Sequence, residues 1–361
     1  MKLTKTYIMA LLALLLYACS NSEDTLIEPI VDEQEPVVPV TPISFDQSFV
    51  DKGTRSDVNL SMYQTTMGVW GYGNPDAKND TIFKNQMVHF TEEGWKYSPL
   101  KYWDAQSKYD FYAYSPYDAK KAGINTDSLR AYLIYINNIE TKGVNLQETP
   151  SAGEKMSFYA TPDTDWVVSR AAQKNILGSV RNTVQFNMQH ILSKLNIRMR
   201  ISAGVSAIMG PDAYVTLDSL TIGKFYCQAN FQQKVEATPI TDAEKKASIK
   251  EWSGLAGKLT LKRNSKCRLS TDHQYVLESL VLPQVINTND KIYLEYSIHY
   301  ADYSEKYKFT KPLREVSDDF LRFYTGYNYT LSFLIDPDAI TFTANATKWA
   351  DGQQGDAQVK E

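Results

Sequence analysis

The chain of 361 residues lacks the features on which most metal proteins and nucleic-acid-binding proteins depend. Its four histidines are scattered, and none forms a ligand pair at helical spacing or accompanies a Cys-x-x-Cys motif. It has no block of basic residues, and its net charge is −4. We therefore expect no metal and no cofactor, and nucleic acid is not an expected partner.

Recognisable catalytic motifs are also missing. The sequence contains no GxSxG, HExxH, P-loop or GxGxxG pattern and no cysteine–histidine nucleophile arrangement. Acid pairs occur at Asp163/Asp165 and Glu92/Glu93, but two neighbouring acids usually belong to a solvated loop. We predict that the protein is not an enzyme. A glycosidase is kept as an alternative that hydrolysis of a polysaccharide panel would reveal.

The beginning of the chain is typical of a bacterial lipoprotein signal. Lys2 and Lys5 give it a positive start, and the apolar run at residues 8–17 is too short to span a bilayer comfortably. Ala18 supplies the small residue before the cut, and the thiol of Cys19 would accept the lipid. The alternative is an ordinary secretory signal with an incidental cysteine.

Residues 1–18 are thus the predicted signal peptide, and residues 19–44 are a predicted tether. The tether is acidic and carries several prolines, so it cannot bury enough apolar surface to fold and favours an extended chain. Several acyl chains on Cys19 would anchor the protein stably. We expect a surface-exposed lipoprotein of the outer membrane of a Gram-negative bacterium.

Alternation of apolar and polar residues dominates the remaining sequence and predicts β-strands. The clearest predicted strands are residues 66–72, 108–114, 195–201, 291–300 and 327–334. Regularly spaced strands with turn residues between them are typical of sandwiches and barrels. Because about 340 residues exceed what one core usually holds, we predict an all-β protein with two domains, at residues 45–180 and 181–361.

Two cysteines remain after Cys19, at Cys227 and Cys267. In an oxidising compartment they could pair, which would close a loop of about 40 residues and contribute about 3–4 kcal/mol. They could equally be two buried thiols. The sequence leaves both interpretations open.

A series of segments occurs in an order and spacing similar to those of one known family. The most characteristic is the run W-x-Y-x-P-x-K-Y-W at residues 95–103. The others are residues 67–72, 83–88, 109–116, 190–195, 327–331 and 340–344, followed by Trp349. From about residue 55 to residue 350, the sequence resembles the fimbrillin family, the lipoprotein-derived pilins of Bacteroidetes-type fimbriae.

This resemblance implies two Greek-key, transthyretin-like β-sandwiches in tandem and a role as a structural subunit of adhesive fimbriae. It also implies a mode of assembly, in which an arginine-specific protease removes an N-terminal leader and a strand of a neighbouring subunit fills the vacated groove. The expected partners are other fimbrial subunits, the outer membrane through the lipid, and a receptor on a host or bacterial surface.

The bond between Arg55 and Ser56 fits the expected cleavage site. It lies in a short, polar, glycine-containing segment between the tether and the first clear strand. The alternative is an ordinary solvated arginine in a loop. Upstream, residues 43–50 would be the removable strand, with Ile43 and Phe45 pointing inward and the alternation slipping at Ser48.

The C-terminal segment is a candidate donor strand. Its apolar residues alternate with polar ones; they are Ile340, Phe342, Ala344 and Ala346. An ordinary final strand of its own domain is the favoured alternative for this stretch. Stalk, tip and anchor positions in the fimbria all remain open, although a cleavable Arg55 favours a stalk or tip subunit.

A glycan-binding surface lipoprotein that does not polymerise is the second alternative. Exposed tryptophans stack on sugar rings, and the chain has six of them: Trp70, Trp95, Trp103, Trp166, Trp252 and Trp349. Each is more often found in core or sheet-face packing. Two or more of them on one exposed face would favour glycan binding.

Overall fold

The computed structural model describes residues 40–49, 65–74, 80–126, 132–143, 147–149, 157–159, 164–171, 176–234, 251–263, 265–315, 321–336 and 340–348. In these ranges the chain forms 25 β-strands and one α-helix of seven residues. The predicted all-β class is therefore confirmed. Pro42–Glu361 is one compact unit, and of the residues before it only Val40 and Thr41 are described.

The strands of the first part of the chain are β1 (Phe45–Phe49), β2 (Thr66–Gly73), β3 (Thr81–Thr91), β4 (Gly94–Lys96), β5 (Lys108–Ser115), β6 (Ala122–Thr126), β7 (Tyr132–Glu140), β8 (Gln147–Thr149), β9 (Ser157–Tyr159), β10 (Val167–Ala171), β11 (Ile176–Leu177) and β12 (Val184–His190). The next elements are β13 (Ser193–Ile201), helix α1 (Ala203–Met209), β14 (Tyr214–Phe225), β15 (Gln228–Lys234), β16 (Trp252–Ala256) and β17 (Leu259–Arg263). The last are β18 (Cys267–Leu269), β19 (Gln274–Val281), β20 (Gln284–Val285), β21 (Lys291–His299), β22 (Ser304–Pro312), a 3-10 turn (Leu313–Glu315), β23 (Arg322–Phe323), β24 (Tyr327–Ile335) and β25 (Ile340–Lys348).

Four sheets contain most of these strands. The first sheet has the order β1-β12-β10-β5-β2-β3-β4, with β11 also paired to β5. The second has the order β16-β15-β7-β6, and the third has the order β17-β14-β21-β22, with β18 also paired to β14. The fourth has the order β19-β13-β24-β25. Two-stranded ribbons join β8 to β9 and β20 to β23.

Strand β5 lies in the middle of the first sheet and is covered on both faces. Successive side chains of a strand point to opposite faces. Tyr109, Phe111 and Ala113 accordingly enter a core that also holds residues of β1 and β12. Tyr112 and Tyr114 enter a second core on the other face. Burial on both faces explains why residues 111–114 of this strand are aromatic or apolar without alternation.

The second core lies between the first and second sheets. Trp70 and Tyr114 of the first sheet share it with Ile136 and Phe231 of the second sheet. Strand β7 pairs with β15, so the second sheet joins strands that precede and follow residue 180 in the sequence. The predicted domain division at residue 180 stays a prediction.

A third core lies between the third and fourth sheets. Leu217 and Leu294 contribute from the third sheet, and Leu331 and Phe333 contribute from the fourth. Helix α1 packs against it through Val205, and the helix begins after Ser202, whose hydroxyl accepts the Val205 N–H at 3.2 Å. In the described part of the chain no helix is long and apolar enough to cross a membrane.

Candidate functional site at the first strand

Strand β1 forms one end of the first sheet. It pairs in parallel with β12, in a register that runs from Phe45↔Val184 to Phe49↔Met188. On its other side, just before the strand, Pro42 forms an isolated antiparallel bridge with Tyr102. The first sheet thus receives its last strand from the segment that precedes the candidate cleavage site.

Main-chain hydrogen bonds attach the beginning of β1 to two neighbouring segments. The N–H of Ile43 donates to the carbonyl of Lys101 at 2.8 Å, and the hydroxyl of Tyr97 donates to the carbonyl of Ile43 at 2.7 Å. On the opposite side, the N–H of Val184 donates to the carbonyl of Ser44 at 2.8 Å. The segment therefore lies between β12 and the loop after β4.

The side chain of Phe45 occupies an aromatic groove. Four rings surround it, with centroids between 5.2 and 5.7 Å away: Phe83 of β3, Tyr97 after β4, Phe111 of β5 and Phe186 of β12. Edge-to-face and stacked pairs at such distances contribute about 0.5–1.5 kcal/mol each beyond the burial of area. We call these four residues the leader groove.

Burial is almost complete at the two inward positions of the segment. Ile43 is 1% exposed and Phe45 is 4% exposed, as the alternation in the sequence predicted. Full burial of one such side chain stabilises a fold by about 1.5–3 kcal/mol. Without this strand, the leader groove and the unpaired edge of β12 would both face water. An apolar groove beside a free strand edge is a site at which another strand can add to the sheet.

Tyr97 is a site residue that the sequence analysis did not single out. Burial raises the pKa of its hydroxyl, and the hydrogen bond from the Lys101 N–H acts in the opposite direction. The hydroxyl therefore stays protonated at neutral pH and can donate to Ile43. The only sequence signal for it was its place in the motif at residues 95–103, which gives no information about this contact.

Several predicted site residues lie outside the described residues. They are Cys19, Arg55 and Ser56, together with Val50 at the end of the predicted removable strand. The predicted lipidation and cleavage sites therefore stay predictions.

Cys227 and Cys267 lie at the starts of two different strands. Cys227 precedes β15, and its carbonyl accepts the N–H of Thr141 at 2.9 Å. Cys267 is the first residue of β18 and stands opposite Leu217 of β14. Both side chains are half-buried. Their pairing stays a prediction.

The candidate donor residues form β25 at one end of the fourth sheet. This strand is antiparallel to β24 along nine residue pairs, from Tyr327↔Lys348 to Ile335↔Ile340. Ile340, Ala344 and Ala346 are partly buried against the third core. In this structure the segment is thus the final strand of its own sandwich, and its role as a donor stays a prediction.

The tryptophans do not form an exposed face in the described residues. Four are buried: Trp70, Trp103, Trp166 and Trp252. Trp95 is half-buried, and Trp349 lies outside the described residues.

The expected solvated loop at the first acid pair is wrong for Asp165, which is 5% exposed, and Asp163 lies outside the described residues. Nδ1 of His190 lies 2.8 Å from Oδ2 of Asp165, and both side chains are buried. Glu93 pairs with Lys96 at 3.3 Å in the exposed turn between β3 and β4. Within the described ranges no group of three or more histidine, cysteine, aspartate and glutamate side chains could hold a metal.

Comparison with known families agrees with the resemblance found in the sequence. The profile of the fimbrillin-like family matches residues 54–349, which is most of the chain. The chain belongs to the fimbrillin-like family. A search of curated protein sequences gives no match.

Solved structures add information on the fold of this fimbrillin-like protein. A fimbrial protein from Bacteroides vulgatus is 16% identical, with a TM-score of 0.56, over 86% of this chain and 100% of that chain. At this identity the likeness shows a shared fold only. A protein from Bacteroides uniformis, provisionally described as a cell adhesion protein, is 17% identical over 88% of this chain and 100% of that chain, with a TM-score of 0.46.

Proposed function

We propose that this fimbrillin-like protein is a stalk or tip subunit of adhesive cell-surface fimbriae and that it assembles by strand exchange. In this proposal the protein is exported as a lipoprotein acylated at Cys19, and an arginine-specific protease then cuts after Arg55. The cut releases the segment that contains β1. A strand from another subunit enters the leader groove in its place.

The observation that carries the proposal is the burial of Ile43 and Phe45. The edge strand β1 and the residues just before it, upstream of the candidate cleavage site, supply side chains that are 4% and 1% exposed. The sheet therefore depends on a segment that one cut in the chain would separate from it. The match to the fimbrillin-like family begins at residue 54, so β1 lies outside the shared region, which also supports a separable leader.

The spacing of apolar residues supports β25 as the donor. Its first residues, Ile340-Thr341-Phe342, repeat the pattern Ile43-Ser44-Phe45 of the leader segment. Because alternate side chains of a strand point to the same face, isoleucine and phenylalanine two residues apart would occupy the two positions that Ile43 and Phe45 leave. Strand addition of this kind gains affinity from main-chain hydrogen bonds and specificity from such pockets.

The domain architecture, the export route and the lipid anchor that the family implies are also part of this proposal. The four sheets and their cores are compatible with two Greek-key, transthyretin-like sandwiches in tandem. The signal-like residues 1–18 and the acidic tether that follows support export to the cell surface and lipid anchoring.

The experiment is controlled cleavage of residues 20–361 with an arginine-specific protease, which spares Lys52 next to the candidate site. We expect a cut after Arg55, loss of the leader peptide and a ladder of stable oligomers on a gel. The matched control is Arg55→Ala, which should remain uncut at this site and monomeric. Complete cutting after Arg55 with no change in association would contradict strand exchange and favour a monomeric surface protein.

A further inference from the structure

The hairpin of β21 and β22 projects an exposed end from the third sheet. The N–H of Tyr300 donates to the carbonyl of Tyr303 at 2.9 Å, which closes the turn around Ala301 and Asp302. Residues 304–308 of β22 are all exposed, although they pair with β21 along their length. At this end both faces of β22 therefore meet solvent, whereas Tyr296, Ser297 and Ile298 of β21 are buried.

Four tyrosines meet on one face of this end. Tyr296 and Tyr307 stand opposite each other across the hairpin, with ring centroids 5.1 Å apart and planes 13° from parallel. Tyr300 and Tyr303 form a second stack, with centroids 4.5 Å apart and planes at 19°. Tyr303 is 57% exposed and Tyr307 is 37% exposed, whereas Tyr296 is 7% exposed in the third core and Tyr300 is half-buried against it. We call these four residues the tyrosine strip.

Glu305 is hydrogen-bonded to Tyr307 of one stack, and its charge also acts on Tyr300 of the other stack. It lies two residues before Tyr307 and thus on the same face of β22, and it accepts the hydrogen bond from the Tyr307 hydroxyl. That bond, with the nearby charge of Glu305 and the neighbouring Tyr300 and Tyr296, raises the pKa of Tyr307 to about 12. Burial and the same glutamate also raise the pKa of Tyr300. The hydroxyls of Tyr307 and Tyr300 therefore stay protonated at neutral pH beside the Glu305 carboxylate.

Cross-strand tyrosine stacking alone would stabilise the hairpin. It does not explain why the rings of Tyr303 and Tyr307 are exposed to solvent. Tyrosine combines an apolar ring with a polar hydroxyl, and exposed aromatic groups of this kind are typical of recognition surfaces. A sugar ring has the complementary character, with an apolar C–H face and a rim of hydroxyls. The carboxylate of Glu305 can accept bonds from two such hydroxyls.

The charged residues at the end of the hairpin indicate which kind of glycan the strip could bind. Asp302 in the turn and Glu305 on the strip would repel sialylated, sulfated and other anionic glycans. Lys306 and Lys308 lie on the opposite face of β22, where Lys308 pairs with Glu295 at 3.0 Å. We propose that the tyrosine strip binds a neutral saccharide. This site is distinct from the leader groove and goes beyond the proposed role in assembly, because it requires neither cleavage nor polymerisation.

The test uses uncut protein, residues 20–361, on an array of neutral and anionic oligosaccharides, followed by calorimetric titration of the neutral sugars bound. Tyr303→Ala and Tyr307→Ala should each weaken binding about tenfold, which corresponds to the loss of one good aromatic contact. Tyr293→Ala is the matched control, because Tyr293 is 47% exposed and lies on the opposite face of the same hairpin. It should bind as the unaltered protein does. Circular dichroism would verify that each variant is folded.

Three outcomes would overturn the proposal. The first is the absence of binding to any neutral sugar at millimolar concentration. The second is a preference for anionic glycans, and the third is an equal loss of binding in Tyr293→Ala and Tyr303→Ala. If Tyr303→Ala instead prevented oligomer formation after cleavage, and no sugar bound, the strip would be a contact between subunits. The sugar-binding results are independent of whether Arg55 is cut.

Discussion

Strands β1 and β25 are both edge strands, but they are attached to the protein in different ways. Strand β1 has five residues, is parallel to β12, and follows a segment in which Ile43 is 1% exposed. Strand β25 has nine residues and is antiparallel to β24 along its whole length, and its residues Ile340, Ala344 and Ala346 are partly buried. The described side-chain contacts of the first segment are concentrated in an aromatic groove, whereas β25 has the longer backbone ladder, with nine residue pairs against five.

This difference is consistent with the roles that strand exchange assigns to the two segments. A backbone ladder can form with any strand of suitable length, so a strand held mainly by its ladder can pair elsewhere at modest cost. An aromatic groove accepts only certain side chains, so it determines which strand enters and in which register. In this account the leader groove provides specificity and β25 provides a transferable strand.

The largest expected effect is at Phe45. Phe45→Ala would leave a cavity between Phe83, Phe111 and Phe186, and we expect a loss of about 3–5 kcal/mol in the free energy of unfolding of the uncut protein. Urea denaturation followed by tryptophan fluorescence would measure it. Phe45→Leu, which keeps most of the volume, should lose clearly less. A loss below about 1 kcal/mol for Phe45→Ala would show that the groove does not depend on this ring.

Truncation of an isoleucine in the leader segment and in β25 should have the next largest effects on stability. We expect Ile43→Ala to cost about 2–5 kcal/mol, because the side chain is fully buried, and Ile340→Ala to cost about 1 kcal/mol, because it is only partly buried. The same denaturation experiment gives both values. Equal losses at the two positions would remove the distinction between a strand held by its groove and a strand held by its ladder.

The smallest expected effect concerns Tyr97 and alkaline pH. Its pKa is raised in the folded state, so its contribution to stability is complete below pH about 10 and is lost as the pH rises through the folded-state pKa. Tyr97→Phe should cost about 0.5–1.5 kcal/mol at neutral pH through the lost hydrogen bond to Ile43.

Above pH 10 the stability of Tyr97→Phe should fall less steeply than that of the unaltered protein. Denaturation midpoints between pH 8 and 12 would show the two curves approaching each other. Parallel curves over this range would mean that the Tyr97 hydroxyl does not contribute to the pH dependence.

Much of the fold was accessible from local sequence patterns. The alternation in residues 66–72, 108–114 and 327–334 predicted strands that the structure has at Thr66–Gly73, Lys108–Ser115 and Tyr327–Ile335. The inward positions of Ile43 and Phe45 followed from the same two-residue period. Helix α1 was missed, because seven residues with one glycine and two β-branched residues give only a weak helical pattern.

Pairings between distant segments were not accessible in this way. Period-two alternation shows which residues share a face, but it does not show which strands are neighbours. The parallel pairs β1–β12 and β13–β24 and the antiparallel pair β7–β15 join segments far apart in the sequence. The contact of Tyr97 with Ile43 also joins segments far apart in the sequence, so it could not be read from local patterns.

Displacement of the leader by a second subunit tests the central claim most directly. A fluorophore attached to the leader of residues 20–361 would report its release after cleavage at Arg55. We expect the cut leader to stay bound until subunits with an intact β25 are added, and we expect Phe342→Ser in the added subunits to prevent its release. Release that occurs without added subunits, or that is equally fast with the Phe342→Ser subunits, would contradict the exchange of β1 for β25.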